Sequence, residues 1–162
     1  MKKAVSLTLL VFAVVAMGVA GSAVAAAGGQ GHTFTQTDNF HGTQQTSDFN
    51  PCTGNPIDLT EVSNIVQHLT SFPGGDEAWG TFTEEDKVTG VDEGTGVVYT
   101  GHSTEWGNFN VNERNANDTF TASIHVAGSD GSSISYHEVA HESWDANGNL
   151  TVQFDKPSLT CG

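Results

Sequence analysis

His137-Glu138-Val139-Ala140-His141 matches H-E-x-x-H, the string with which zinc proteases hold their metal. It works there on a helix, where residues i and i+4 share a face and both imidazoles reach one ion. The context here predicts a strand. Ser132 to Tyr136 is β-branched and aromatic with no helix cap, and Asn147-Gly148 marks a two-residue hairpin turn whose residues need positive φ. Leu150 to Asp155 then alternates apolar and polar residues. On a strand, residues four apart are separated by roughly 13 Å, too far to chelate one zinc. No third ligand follows His141 at the extended zincin spacing, so no metal is assigned.

Hairpin register gives those histidines a different role. With Asn147-Gly148 as the turn, His141 faces Phe154 and Val139 faces Lys156, so Leu150, Val152 and Phe154 share a face with His137, Val139 and His141. With Asp130-Gly131 as the preceding turn, Ile124 faces His137 and Phe120 faces His141, which places Phe120, Ala122, Ile124 and Val126 on that side too. Both turns predict histidines pointing toward the apolar interior. A three-residue loop at either turn reverses the result, exposing the histidines and turning Tyr136, Ala140, Trp144, Glu138 and Glu142 inward.

The elements that carry these residues are strands. His32–Phe49, Ile57–Phe72 and Thr119–Ala127 read as strands, as do shorter segments around Trp79, Tyr99 and Phe109. Glu84-Glu85-Asp86 reads as a solvated turn and 112–118 as a polar loop. No amphipathic helix is present beyond the first residues. Seven or eight strands separated by Gly, Asn and Asp turns predict a single all-β antiparallel meander, a closed barrel in preference to a sandwich.

Lys2-Lys3, the apolar run Ala4–Val19 and Ala23-Val24-Ala25 read as a secretory signal cleaved after Ala25. Residues 26–31 read as a flexible, Gly-rich terminus and 32–162 as one domain. Loss of Lys2 and Lys3 takes the formal charge from −14 to −16, leaving Lys87, Arg114 and Lys156 against nineteen acidic residues. Phosphate contacts need Lys and Arg, so nucleic acid and anionic membrane surfaces are excluded as partners. The chain has two cysteines, and in an exported protein Cys52 and Cys161 are expected to pair. That bond ties the end of the last strand back to the start of the second strand block, as a closed or nearly closed sheet requires.

NPCTG at 50–54, HEVAH at 137–141, the Asn-Gly turn and FDKPSLTCG at 154–162 together resemble a group of small secreted bacterial proteins across essentially the whole mature chain. The resemblance implies export and a compact domain, and it implies no activity. The expected architecture is similar to lipocalin-like and allene-oxide-cyclase-like barrels, by analogy of fold alone.

The leading expectation is therefore a barrel that binds a small apolar ligand in a lumen lined by His137, His141, Phe120, Ile124, Val139, Val152, Phe154 and His68. A cofactor-free isomerase or cyclase using an inward imidazole is the second reading. A barrel packed shut, with a structural or interaction role, is the third. Convergence of His68 or His102 with His137 or His141 would permit metal or haem ligation by ligand type, but no cofactor is assigned.

Overall fold

The computed structural model describes residues 32–74 and 76–162; the signal segment and the terminus at 26–31 lie outside the described residues. The elements are β1 (Phe34–Phe49), β2 (Pro56–Ser71), β3 (Ala78–Asp92), β4 (Val98–Val111), β5 (Asn115–Gly128), β6 (Ser133–Asp145), β7 (Leu150–Asp155) and β8 (Ser158–Cys161). Strands β1 to β7 form one antiparallel sheet in chain order, and β8 also pairs with β6. HEVAH lies within β6.

The sheet is open among the described residues, which corrects the closed barrel. The cause is at the C-terminal edge. β7 has six residues and β8 four, they are separated across Pro157, which has no N–H to donate, and both pair with β6. Among the described residues nothing long enough remains to pair with the sixteen-residue outer edge of β1. The expected disulfide does join the two sides of the sheet at one end. Cys52 in the β1–β2 loop bonds to Cys161 of β8 with Cα atoms 5.8 Å apart.

With no helix or second sheet among the described residues to cover it, one face is buried by the sheet rolling over itself, most tightly at the disulfide end. There Ile57, Val88, Tyr99, Val126 and Ile134 form the core, with Leu59, Val97, Ile124 and Leu159 packed against it. Glycines on this inner face allow the tight roll. A Cβ at Gly101 would overlap the His125 carbonyl, and one at Gly90 would lie 2.9 Å from Ile57 and Leu59.

The loops at this end are tied by Asp92. Its carboxylate accepts from Asn50 Nδ2 (2.8 Å), Thr53 Oγ1 (2.7 Å), Asn55 Nδ2 (2.9 Å) and the amides of Gly94 and Thr95. Burial alone would raise its pKa, but the hydrogen bonds outweigh it and hold the group far below the usual carboxylate range.

Two register findings correct the expected facing. Between β5 and β6 the Gly128 amide donates to the Ser132 carbonyl, and Gly131 takes φ +91°. The loop has three residues, so Ile124 pairs with Tyr136 and Phe120 with Ala140. The second hairpin also has a three-residue loop, closed by Asp145 N–H to Asn149 O. A bulge at Ser143/Trp144 then restores the expected pairing of His141 with Phe154. Val152 and Phe154 of β7 thus share a face with His141 as expected, but that face is the outer one.

Candidate functional site

Every histidine on a strand lies on the outer face. His68, His137 and His141 each accept or donate through Nδ1 to a cross-strand hydroxyl, of Thr37 (2.8 Å), Ser123 (2.9 Å) and Thr119 (2.9 Å) respectively. His125 pairs in the same way with Ser135 at 2.8 Å. Val139, Val152 and Phe154 share this outer face, where the Phe154 ring meets His141 (centroids 5.6 Å apart) and Lys156 Nζ (5.2 Å). Of the expected lumen residues, the structure keeps Phe120 and Ile124 on the inner face and moves His137, His141, Val139, Val152, Phe154 and His68 outward.

The inner face is layered along the strands. Next to the apolar core at the disulfide end comes a belt of carboxylates. Glu61 sits opposite Val88, Asp86 opposite Ser63 and Ser103, and Glu84 opposite Ile65 and Glu105. Glu138 faces Ala122, which in turn faces Glu105. β3 places two of these carboxylates because the charge triplet Glu84-Glu85-Asp86 is not the solvated turn its composition suggests. It is mid-strand, with Glu84 and Asp86 inward and Glu85 outward.

Beyond the belt lies a phenyl layer. Phe82 and Phe120 flank Gly107 from either side, with ring centroids 6.4 Å apart and planes inclined by 28°. A Cβ at Gly107 would strike the Phe82 ring, and one at Gly80 would lie 2.5 Å from the Phe109 ring. Each glycine is the seat for a cross-strand phenyl, an arrangement that recovers the packing a strand glycine forfeits. Farther out, Asp118 and Glu142 pair across β5 and β6, with Trp144 at the open end.

The belt is electrostatically uncompensated. Lys87 pairs with outward His102, Lys156 lies over Phe154 and Arg114 is in the β4–β5 turn, so none of these cations faces it. Glu61 is 7 % exposed and Asp86 5 % exposed. Glu61 Oε1 and Asp86 Oδ1 have no hydrogen-bond partner among the described residues. Ser103 donates to the other oxygen of Asp86 at 2.5 Å, and Tyr136 donates to Glu138.

Burial, reinforced by Asp86 and Glu84, pushes Glu61 up to about 7. Burial with four neighbouring carboxylates does the same to Glu105, also to about 7. Glu84 is raised by burial and by Asp86. Asp118 is raised by burial and by Glu142, and Tyr136 is held above the usual phenol range by burial and by its bond to Glu138. Each direction follows from anionic groups sharing a poorly hydrated surface.

Glu138 and Glu142 were foreseeable as inward groups under the three-residue-loop register. Glu61, Glu84, Asp86 and Glu105 were missed, although Ile57, Leu59 and Glu61 share one parity and the Glu84-Asp86-Val88 series another. No protein-family model, curated protein or solved structure matches the chain.

Proposed function

We propose that the protein is a secreted small-molecule binder whose inner face takes an organic cation, with an ammonium group on the acidic belt and its carbon skeleton against the phenyl layer. One observation carries this reading: among the described residues, two carboxylate oxygens, on Glu61 and Asp86, are buried without a partner in a belt that no cation faces. A buried anion left unpaired is costly, and an ammonium ion supplies both the charge and the N–H donors those oxygens lack. Phe120, expected in an apolar lumen, belongs to the phenyl layer of the open sheet, and a wholly apolar ligand there would leave the belt unpaired. An inward imidazole for acid–base turnover is not available, because the strand histidines face outward.

Export under the segment ending at Ala25 fits the disulfide, which persists in oxidising compartments. Secreted protein is expected to begin at Ala26, as read by intact mass.

Binding is tested by equilibrium dialysis of the mature protein against butylammonium and, separately, 1-butanol at pH 8. The ammonium ion is expected to bind in preference to the alcohol, and the Glu61→Gln/Glu105→Gln protein to lose that preference. Equal uptake of alcohol and ammonium would overturn the reading in favour of an apolar ligand.

A further inference from the structure

The phenyl layer is bounded by carboxylates on both sides. Glu138 and Glu142 lie on the same face of β6, four residues apart, and Ala122, beside the belt, is four residues from Asp118 on β5. At ~3.3 Å per residue, the belt and the outer pair are roughly 13 Å apart along the strands, with ~4.8 Å more sideways for each strand crossed. Phe120 sits midway, opposite Ala140 and stacked with Phe82 across Gly107.

The outer pair is compensated only in part: burial and Glu142 raise Asp118, while the Glu142 backbone and His141 offset some of that rise. Glu142 accepts one hydrogen bond, from Gln153 Nε2 at 2.8 Å, a neutral donor that leaves its charge in place. A ligand with one ammonium and a plain hydrocarbon tail would press that tail against these carboxylates. A second ammonium at that point removes the conflict.

Resting on the cation-binding reading above, we propose that the ligand is a linear dication, an α,ω-diamine or polyamine lying along the strands. One ammonium sits on the belt formed by Glu61, Glu84, Asp86 and Glu105. The methylene chain crosses Phe82 and Phe120, and the second ammonium sits between Asp118 and Glu142. The phenyl layer suits this chain twice over, covering methylenes and presenting ring faces that attract a flanking cation.

The test is calorimetric titration of the mature protein at pH 8 with α,ω-diaminoalkanes whose extended N–N spans run from roughly 6 to roughly 16 Å, bracketing the ~13 Å set by strand rise. Each diamine is compared with the monoamine of equal length. Affinity is expected to peak near the middle of the series, with the best diamine at least about fivefold tighter than its monoamine, the scale of one added ion pair near a protein surface. The Asp118→Asn/Glu142→Gln protein, altered at two partly exposed positions, should lose the diamine advantage while binding the monoamine at least as tightly as wild type, because the carboxylates that oppose its tail are gone.

Monoamines and diamines binding equally at every length would overturn the dication and leave the cation reading standing. A diamine advantage that survives the double substitution would overturn the placement of the second ammonium. Failure of every amine to bind would remove the cation reading itself. If the double variant does not fold, transferred NMR contacts decide: mid-chain methylenes must touch the Phe82 and Phe120 rings, and their absence overturns the pose.

Discussion

Replacing Glu61 by Gln should stabilise the free protein above neutral pH and change little in acid. The folded-state pKa of Glu61 is raised from 4.5 to about 7 by burial, Asp86 and Glu84. The stability associated with its protonated form is fully present below 4.5 and is lost as pH rises through about 7. A tenfold change in proton affinity is worth ~1.4 kcal/mol, so complete shielding would make the loss roughly 3 kcal/mol. Water reaching the rolled sheet from its open end screens the charge and reduces this to about 1–2 kcal/mol. Gln fills the same volume without ionising. In thermal unfolding followed by circular dichroism at about 0.15 M salt, where exposed charges are screened, Tm of Glu61→Gln should exceed wild type by about 3–8 °C at pH 8.5. The two should agree within ~2 °C at pH 4.5, where Glu61 of the folded wild type is protonated and as neutral as Gln. Glu85→Gln, on the exposed outer face of the same region, controls for simple loss of net charge. A Glu61→Gln protein no more stable than wild type at pH 8.5, or no more stable than the Glu85→Gln control, would refute the claim that the belt is an unpaired buried anion.

Asp92 should show the opposite slope: its contribution is present above 3.8 and lost as pH falls through its depressed folded-state value. Asp92→Asn should therefore lower Tm at pH 7 and flatten the acid side of the wild-type profile below pH 3.8. Gly101→Ala should be strongly destabilising because its Cβ would meet backbone, whereas Gly42→Ala on β1 meets nothing within 4 Å and should leave Tm within a few degrees; chemical denaturation of the pair reads both. Replacing Cys52 and Cys161 by Ser should cost at most about 4–5 kcal/mol on the chain-entropy model, seen as a lower urea midpoint.

Most strand boundaries were legible because turn chemistry and alternation agree, as at the Asn147-Gly148 hairpin and in β1 and β2. What failed was a count of one residue. Gly131 takes positive φ at the end of a three-residue loop, and a two-residue turn built from the same letters shifts every side chain to the opposite face; at the Gly148 loop a bulge cancels the extra residue, and His141 still meets Phe154. In β7 the apolar alternation was real, but it marks an exposed strand; Leu150 and Val152 are each 47 % exposed. The acidic belt was hidden for a related reason. Carboxylates at Glu84 and Asp86 are read as solvated because they are costly to bury, and only cross-strand register reveals four strands aiming them at one surface. Closure failed because the disulfide constrains one end of a sheet and supplies no strand for the other.

The order of pairing also fixes where folding spends its time. Each of β1 to β7 pairs with its sequence neighbour, so six hairpins can zip locally, each closing a short loop at small entropic cost. Among the described residues, the C-terminal segment breaks that locality most: β8 passes back to β6, and its cystine spans 109 residues. The search for distant partners is thus concentrated in one terminal event. Refolding from the reduced chain should show an early phase indifferent to oxidant, followed by a slower one paced by thiol oxidation.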